Sequence, residues 1–223
     1  MPTPTVTSDT SSRILDVAEG LVQRRGFNAF SYADIADALH LTKASLHYHF
    51  PTKAKLGEHL IERYRMSFIA ALDQIDGNCH AAGEKLRAYA GIYVNVLEND
   101  RMCLCGMLAA DYATLPKAMK DGVHRFFDAN ETWLVEVLTR GREKEQLVFS
   151  GPPVETARVL VAVLEGAMLI ARSHADPSRL RSAANRVLAD LGVPAMERAE
   201  AVLVGPRRNR GARADGRRRG SSG

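Results

Sequence analysis

The stretch TKASLHYHFPTKAKL, Thr42 to Leu56, concentrates side chains that could do chemistry. His47, Tyr48 and His49 stand in a row, with Lys43, Lys53 and Lys55 around them. Such a group suits proton transfer, metal ligation or the binding of an anion. A second candidate is CLCG, Cys103 to Gly106. On a helix its two cysteines face different sides, and no His or Cys lies near in sequence to complete a metal site. Cys79 and His80 could approach only through tertiary folding. Buried small residues in a reduced protein explain this pair, and oxidant sensing by Cys103 and Cys105 is the alternative. The chain shows no glycine-rich phosphate loop, no clustered carboxylate pair and no nucleophile elbow. It is therefore read as a non-enzyme, with no metal and no cofactor expected.

The elements that must position these residues all read as helices. Arg13–Arg25 places Ile14, Val17, Ala18, Leu21 and Val22 on one face, and Gly26 stops it. Ser31 can cap a second helix, Tyr32 to Leu39, with Asp34 three residues on in the manner of a capping box. Thr42 can cap a short third helix that ends near Phe50, because Pro51 breaks it. Thr52 can cap a fourth, with Leu56, Leu60, Tyr64, Phe68 and Leu72 at helical spacing to about Ile75. The expected organisation is a flexible 1–12, a small helical unit over 13–56, a second helical domain over 77–200 and a disordered Arg-rich tail over 205–223.

Lysines occupy the first turns of the third and fourth helices, where the partial positive charge of the helix end disfavours them by a few tenths of a kcal/mol. An anion docked there reverses the cost. A phosphate backbone is the obvious anion, and two short helices joined by a tight turn form a helix-turn-helix whose second member enters the major groove. The segment FSYADIADALHLTKASLHYHFPTKAKL resembles the N-terminal domain of TetR-family transcriptional regulators. Ile35, Ala36, Leu39, Leu41, Ala44, Leu46 and Phe50 carry the resemblance, with the aromatic–His–Phe ending and the following Lys53 and Leu56.

The resemblance implies an all-α fold. A three-helix DNA-binding domain is joined by helix four to a helical ligand-binding and dimerisation domain. It implies a homodimer on a palindromic double-stranded DNA operator, released when a small-molecule inducer moves helix four. Carried onto this sequence, Tyr32 and Lys53 meet phosphates, and Thr42, Lys43, Ala44 and Ser45 face bases and backbone. His47 and Tyr48 lie on the groove face. His49 either reaches a base or packs against the first helix. His47 departs from the family, where tyrosine is common, and introduces an ionisable contact.

The second domain offers apolar candidates for a ligand pocket: Tyr93, Met102, Met107, Phe126, Phe127 and Trp133. Few acidic groups interrupt it, which favours a neutral or weakly polar ligand. The segment 154–173 is apolar nearly all round, apart from Glu155, Arg158 and Glu165, as befits an interface helix. With 117–145 it is expected to form the dimer seam through Val123, Leu134, Val163, Gly166, Ala167 and Ile170.

The formal net charge of +4 conceals an uneven distribution. Residues 205–223 hold seven arginines against one aspartate, a net +6, which leaves −2 for 1–204. The tail can add salt-sensitive contact to nucleic acid or do nothing specific. No run of eighteen apolar residues suggests a membrane span, and MPTPTVTSDTSS does not read as a signal peptide. Three cysteines fit a reduced compartment. The expected location is the cytoplasm.

Overall fold

The computed structural model describes residues 6–196, with side chains from Asp9 onward. The Arg-rich tail, 205–223, and the last few residues expected in the second domain lie outside the described residues. Those described form nine α-helices and one 3₁₀ turn, with no strand. The all-α expectation holds.

The first helix, α1 (Val6–Arg25), starts at Val6 rather than at the expected Arg13. Ile14, Ala18 and Val22 are buried and anchor the helix. Extension back from an anchored turn gains one hydrogen bond per residue fixed, and Asp9 in the first turn suits the helix end. Gly26 ends α1 in a left-handed conformation at φ 86°, its N–H donating to the Val22 carbonyl at 2.8 Å.

Next come α2 (Tyr32–Leu39), α3 (Lys43–His49) and α4 (Lys53–Asn78). Ser31 donates to Asp34 Oδ2 from both its N–H and its hydroxyl, at 2.8 Å each. Those bonds hold the Asp34 carboxyl below the usual range. Thr42 Oγ1 accepts from Ser45 N–H at 3.2 Å, and Thr52 Oγ1 accepts from Lys55 N–H at 3.1 Å. The three caps expected from residue type are therefore where sequence put them. Ile35, Leu46, Phe50, Leu56 and Leu60 close over α1 to form the small core beneath α3.

The long α4 belongs to both halves. Its first turns bury Leu56 and Leu60, and its later turns bury Phe68, Leu72 and Ile75 among the helices that follow. Those are α5 (Ala82–Glu98), α6 (Leu104–Ala110), the 3₁₀ turn Tyr112–Thr114, α7 (Lys117–Glu143), α8 (Pro153–Ser173) and α9 (Ser178–Ala189). The expected break at 76–83 shrinks to Cys79–Ala81.

The inner face of α8, including Leu160, Leu164 and Met168, packs against α5, α7 and α9. Its outer face stays apolar and open, with Val159 52%, Leu169 50% and Ile170 55% exposed. Gly166 is open on this side, and Val163 and Ala167 are half-buried at its edge. Val123 and Leu134 are different. At 2% and 0% exposure they fill the protomer's own core, so neither can meet a second copy. Within the protomer α7 packs against α4, α5, α6 and α8, and its apolar stripe is buried in that core.

Candidate nucleic-acid interface

The short α3 and its cap project one exposed face. Thr42, Lys43, Ala44, His47 and Tyr48 are exposed, Tyr48 at 76%, while Ser45 and His49 are half-buried and Leu46 anchors the helix inward. No carboxylate among the described residues pairs with Lys43. An exposed tyrosine beside an unpaired lysine and small residues is a surface made for a polyanion with readable edges. The edge of His49 meets the Tyr48 ring, with centroids 5.3 Å apart.

His47 has a defined orientation. Its Nδ1 lies 3.1 Å from the Pro51 carbonyl, and its ring rests on Tyr32 at 4.8 Å. A carbonyl accepts only, so Nδ1 carries the proton. In the neutral ring the other nitrogen, Nε2, is left as an acceptor.

Two residues expected at phosphates point elsewhere. The Tyr32 hydroxyl donates to the Phe50 carbonyl at 2.7 Å, and burial pushes its pKa up to about 12. Lys53 turns inward. Its Nζ donates to the carbonyls of Phe27 at 2.6 Å and Phe30 at 2.5 Å, and sits over both rings at 4.7 and 4.2 Å. Burial lowers its pKa, offset by the charges of Asp111 and Asp34. Lys53 ties the loop between α1 and α2 to the start of α4, and Tyr32 ties the start of α2 to the end of α3. Lys55, by contrast, forms a surface pair with Glu58 at 2.8 Å.

The C-terminal half grips the same loop from behind. Asp111, just after α6, accepts from the N–H groups of Phe27 at 2.8 Å and Asn28 at 3.4 Å. The Gln23 carbonyl accepts from Met102 N–H and from Arg172 Nη1, each at 3.1 Å, and Arg172 Nη2 also reaches the Arg24 carbonyl. The end of α1 is thus tied to α6 and α8.

Within that half the pocket candidates separate. Tyr93, Met102 and Phe126 are buried, and Met107, Phe127 and Trp133 are half-buried. The structure brings Tyr93 and Phe126 into one aromatic cluster with Tyr64, Phe68 and Tyr89. Tyr89 donates to Asn130 Oδ1 at 3.0 Å and lies 3.2 Å from the Tyr93 hydroxyl. Trp133 stacks on Tyr89 but directs its N–H to Asp76 at the surface, 2.9 Å away. The backbone N–H of the buried Met102 donates to the Gln23 carbonyl at the end of α1.

Beside the cluster lie Cys103, Cys105 and Glu165. Burial pushes both thiols well up, with the Glu165 charge adding to it. Burial also pushes the Glu165 carboxyl up to about 7, against a hydrogen bond from Cys103 that lowers it. Part of the Glu165 stem stays open to solvent while its Oε1 is enclosed. Among the described residues no three His, Cys, Asp or Glu converge as a metal would require.

Comparison with known proteins bears directly on this arrangement. Residues 14–60 match the model described as bacterial regulatory proteins, tetR family, and residues 82–187 match a tetracyclin repressor-like C-terminal domain. A TetR-family transcriptional regulator from Agrobacterium tumefaciens is 32% identical, covers 83% of this chain and 98% of its own, and superposes with a TM-score of 0.81. The chain belongs to the TetR family of transcriptional regulators. The Escherichia coli repressor NemR is 25% identical over 84% of this chain and 96% of its own. A NemR structure described as the reduced form gives a TM-score of 0.73 at 26% identity, covering 84% of this chain and 100% of that one. This TetR-family chain is accordingly a DNA-binding transcription regulator and not an enzyme. No helix among the described residues is long and apolar enough to cross a membrane.

Sequence reasoning missed Asp111, Arg172 and Asn130 as functional positions. Asp111 and Arg172 look like surface charges until the fold brings α1 to them. Asn130 is an amide on the apolar face of α7, and only the fold brings Tyr89 to it. Glu165 was visible as an interruption of an apolar helix, without the surroundings that give it meaning.

Proposed function

We propose that this chain is a ligand-responsive repressor that binds a palindromic operator as a homodimer. The observation that carries the reading is the exposed face of α3, with Lys43, Ala44, His47 and Tyr48 turned to solvent above a helix-turn-helix core. The apolar outer face of α8 supports the dimer, because a row of exposed Val159, Leu169 and Ile170 favours burial against a second copy. Thr42 and Ser45 complete the α3 front, Lys43 supplies phosphate contact, and Ala44 allows close approach to a thymine methyl.

The joint from Asp111 and Arg172 to the end of α1 supports the response. A ligand that displaces α6 or α8 pulls on the loop that Lys53 clamps to α4. The two reading helices of the dimer then change spacing, and a palindromic site spaced by a helical turn is no longer matched. Selection from random DNA followed by footprinting tests this. The expected result is a two-fold symmetric site whose affinity falls steeply with salt, as counterion release requires. A protein with no sequence preference at low salt would refute it.

A redox-responsive regulator is the second reading, and its support is the likeness to a NemR structure described as the reduced form. Against it, Cys103 and Cys105 are buried thiols held protonated, and the thiolate is the reactive species. A Cys103→Ser, Cys105→Ser protein that still leaves its operator on peroxide treatment excludes this reading.

A further inference from the structure

The last turn of α1 ends in carbonyls that no amide of its own helix can take. The Val22 carbonyl is met by Gly26 N–H. Those of Gln23 and Arg24 are met by Arg172, from the last turn of α8, one through each terminal nitrogen of its guanidinium. Gln23 is 2% exposed, and its carbonyl also accepts from Met102 N–H, just before α6. Its side-chain Oε1 accepts from Arg101 at 3.4 Å. A cation suits a helix C-terminus, and the planar fork of arginine holds two neighbouring acceptors in a fixed geometry that a lysine does not reproduce.

The chain joins α1, α2 and α3 to the remainder through α4, a rod of 26 residues and about 39 Å. A swing of about 5° at the far end of that rod moves its near end by about 3.4 Å, the rise of one base pair. Two reading helices that must fall a helical turn apart on DNA tolerate little of this. A second tie, away from α4, removes the swing. Asp111 and Met102 refer the end of α1 to α6 and the segment before it. The described hydrogen bonds that refer it to α8 are those of Arg172. On α8 the exposed Ile170 and Leu169 stand two and three residues before Arg172. One short piece of helix therefore carries both the open apolar face and the grip on α1.

We propose that Arg172 is the positioning residue that fixes the separation of the two reading helices. It locks the end of α1 to the helix that faces the second copy, so the dimer accepts one spacing of half-sites and rejects its neighbours. This rests on the reading of the chain as a dimeric operator-binding regulator. Arg172 itself touches no base and no phosphate. A helix cap that served stability alone would leave the spacing preference intact, and that difference is measurable.

The test uses the full chain as wild type, Arg172→Lys and Arg172→Gln. Each is titrated with the operator recovered by selection, with that operator lengthened or shortened by one central base pair, and with a single half-site. Wild type is expected to bind the recovered spacing at least about tenfold more tightly than either neighbour. Arg172→Gln, which offers a shorter and neutral amide, should bind the three spacings within about threefold of one another, its loss falling on the recovered one. Arg172→Lys keeps the charge without the fork and should fall between. The half-site should bind all three proteins alike, because the face of α3 is untouched. Sedimentation should show the same dimer throughout, and circular dichroism reads the folded fraction. Should Arg172→Gln fail to fold, Arg172→Lys decides, and its preference must be narrower than that of wild type. The inference is overturned if a folded variant keeps the wild-type preference, if wild type has none, if half-site binding falls as well, or if a folded variant is monomeric. Specific binding by wild type with an unchanged preference in the variants defeats this inference alone. No specific binding by wild type defeats the functional reading.

Discussion

Asp111, which ends α6, accepts the backbone N–H of Phe27 at 2.8 Å and so fixes the loop that Lys53 clamps from the other side. Gly26 sits at the same junction, where a Cβ would lie 3.1 Å from Asp111 Oδ2. A left-handed backbone, a close approach and a carboxylate thus coincide at one point. Asp111→Ala leaves the Phe27 and Asn28 amides without that acceptor. Hydrogen bonds to a charged group are worth about 1.5–3 kcal/mol, so urea denaturation should show a loss of that order. Amide exchange at Phe27 should speed up while that of Leu46 changes little. Equal stability of variant and wild type would show that the joint carries no load.

Lys43 and Lys53 should behave as opposites although both were expected at phosphates. Lys43→Ala removes an exposed cation with no described acidic partner. It should leave stability unchanged and flatten the logarithmic salt dependence of operator binding by about 0.9, the share of one phosphate. Lys53→Ala removes the donor to two carbonyls and the filling between two rings. It should lower stability by roughly 1–3 kcal/mol, and the folded fraction should keep its salt slope. A reduced salt slope for Lys53→Ala with unchanged stability would return Lys53 to the phosphate.

The contrast shows what sequence could and could not convey. Thr42 and Thr52 were legible as caps because capping is decided by residue type within three positions. Lys53 has the same local context in either role. Its direction is set by Phe27 and Phe30, more than twenty residues back, whose carbonyls open toward it only after α1 has packed on α4. Val123 and Leu134 show the same limit at a larger scale. An apolar stripe says that a face is buried, and only the fold says whether the neighbour belongs to the same chain. Glu165 was readable as a polar break in α8, but the enclosure of its Oε1 is a property of the helices packed around it.

His47 gives operator binding a pH dependence. Its Nδ1 proton is committed to the Pro51 carbonyl, so the neutral ring presents a lone pair at Nε2, which repels a phosphate oxygen. Protonation converts Nε2 into a charged donor. Operator affinity measured at constant salt should rise from pH 8 to pH 6 by about fivefold, as an exposed pair worth up to about 1 kcal/mol allows. His47→Tyr should remove the trend. The same flat profile for wild type and variant would show that His47 does not reach a phosphate.

Gly166 offers a clean probe of association. Among the described residues nothing outside its own stretch of helix lies within 4 Å of where its Cβ would be, so a larger side chain there disturbs no described contact. Replacing a helical glycine also favours the helix by up to about 1 kcal/mol. Gly166→Arg should therefore keep the monomer folded, place a charge in the apolar face of α8 and yield monomers in sedimentation. An unchanged dimer would move the interface off this part of α8.

Glu165 should make folding stability fall as pH rises. The group is carried from its ordinary value of 4.5 up to about 7 by burial. Below pH 4.5 it is protonated in both folded and unfolded chains and contributes no penalty. Between 4.5 and 7 the unfolded chain releases the proton while the folded chain keeps it, so folding loses ground through that window. Above 7 the loss is complete, at most roughly 3 kcal/mol for a shift of this size. Glu165→Gln holds the same shape without the charge, so its stability lacks this component. Urea denaturation of the two proteins side by side should show the variant more stable at pH 8, with the gap narrowing toward pH 5. Other carboxylates titrate alike in both and cancel in the difference. A gap no larger at pH 8 than at pH 5 would mean that the carboxylate is solvated or already paired.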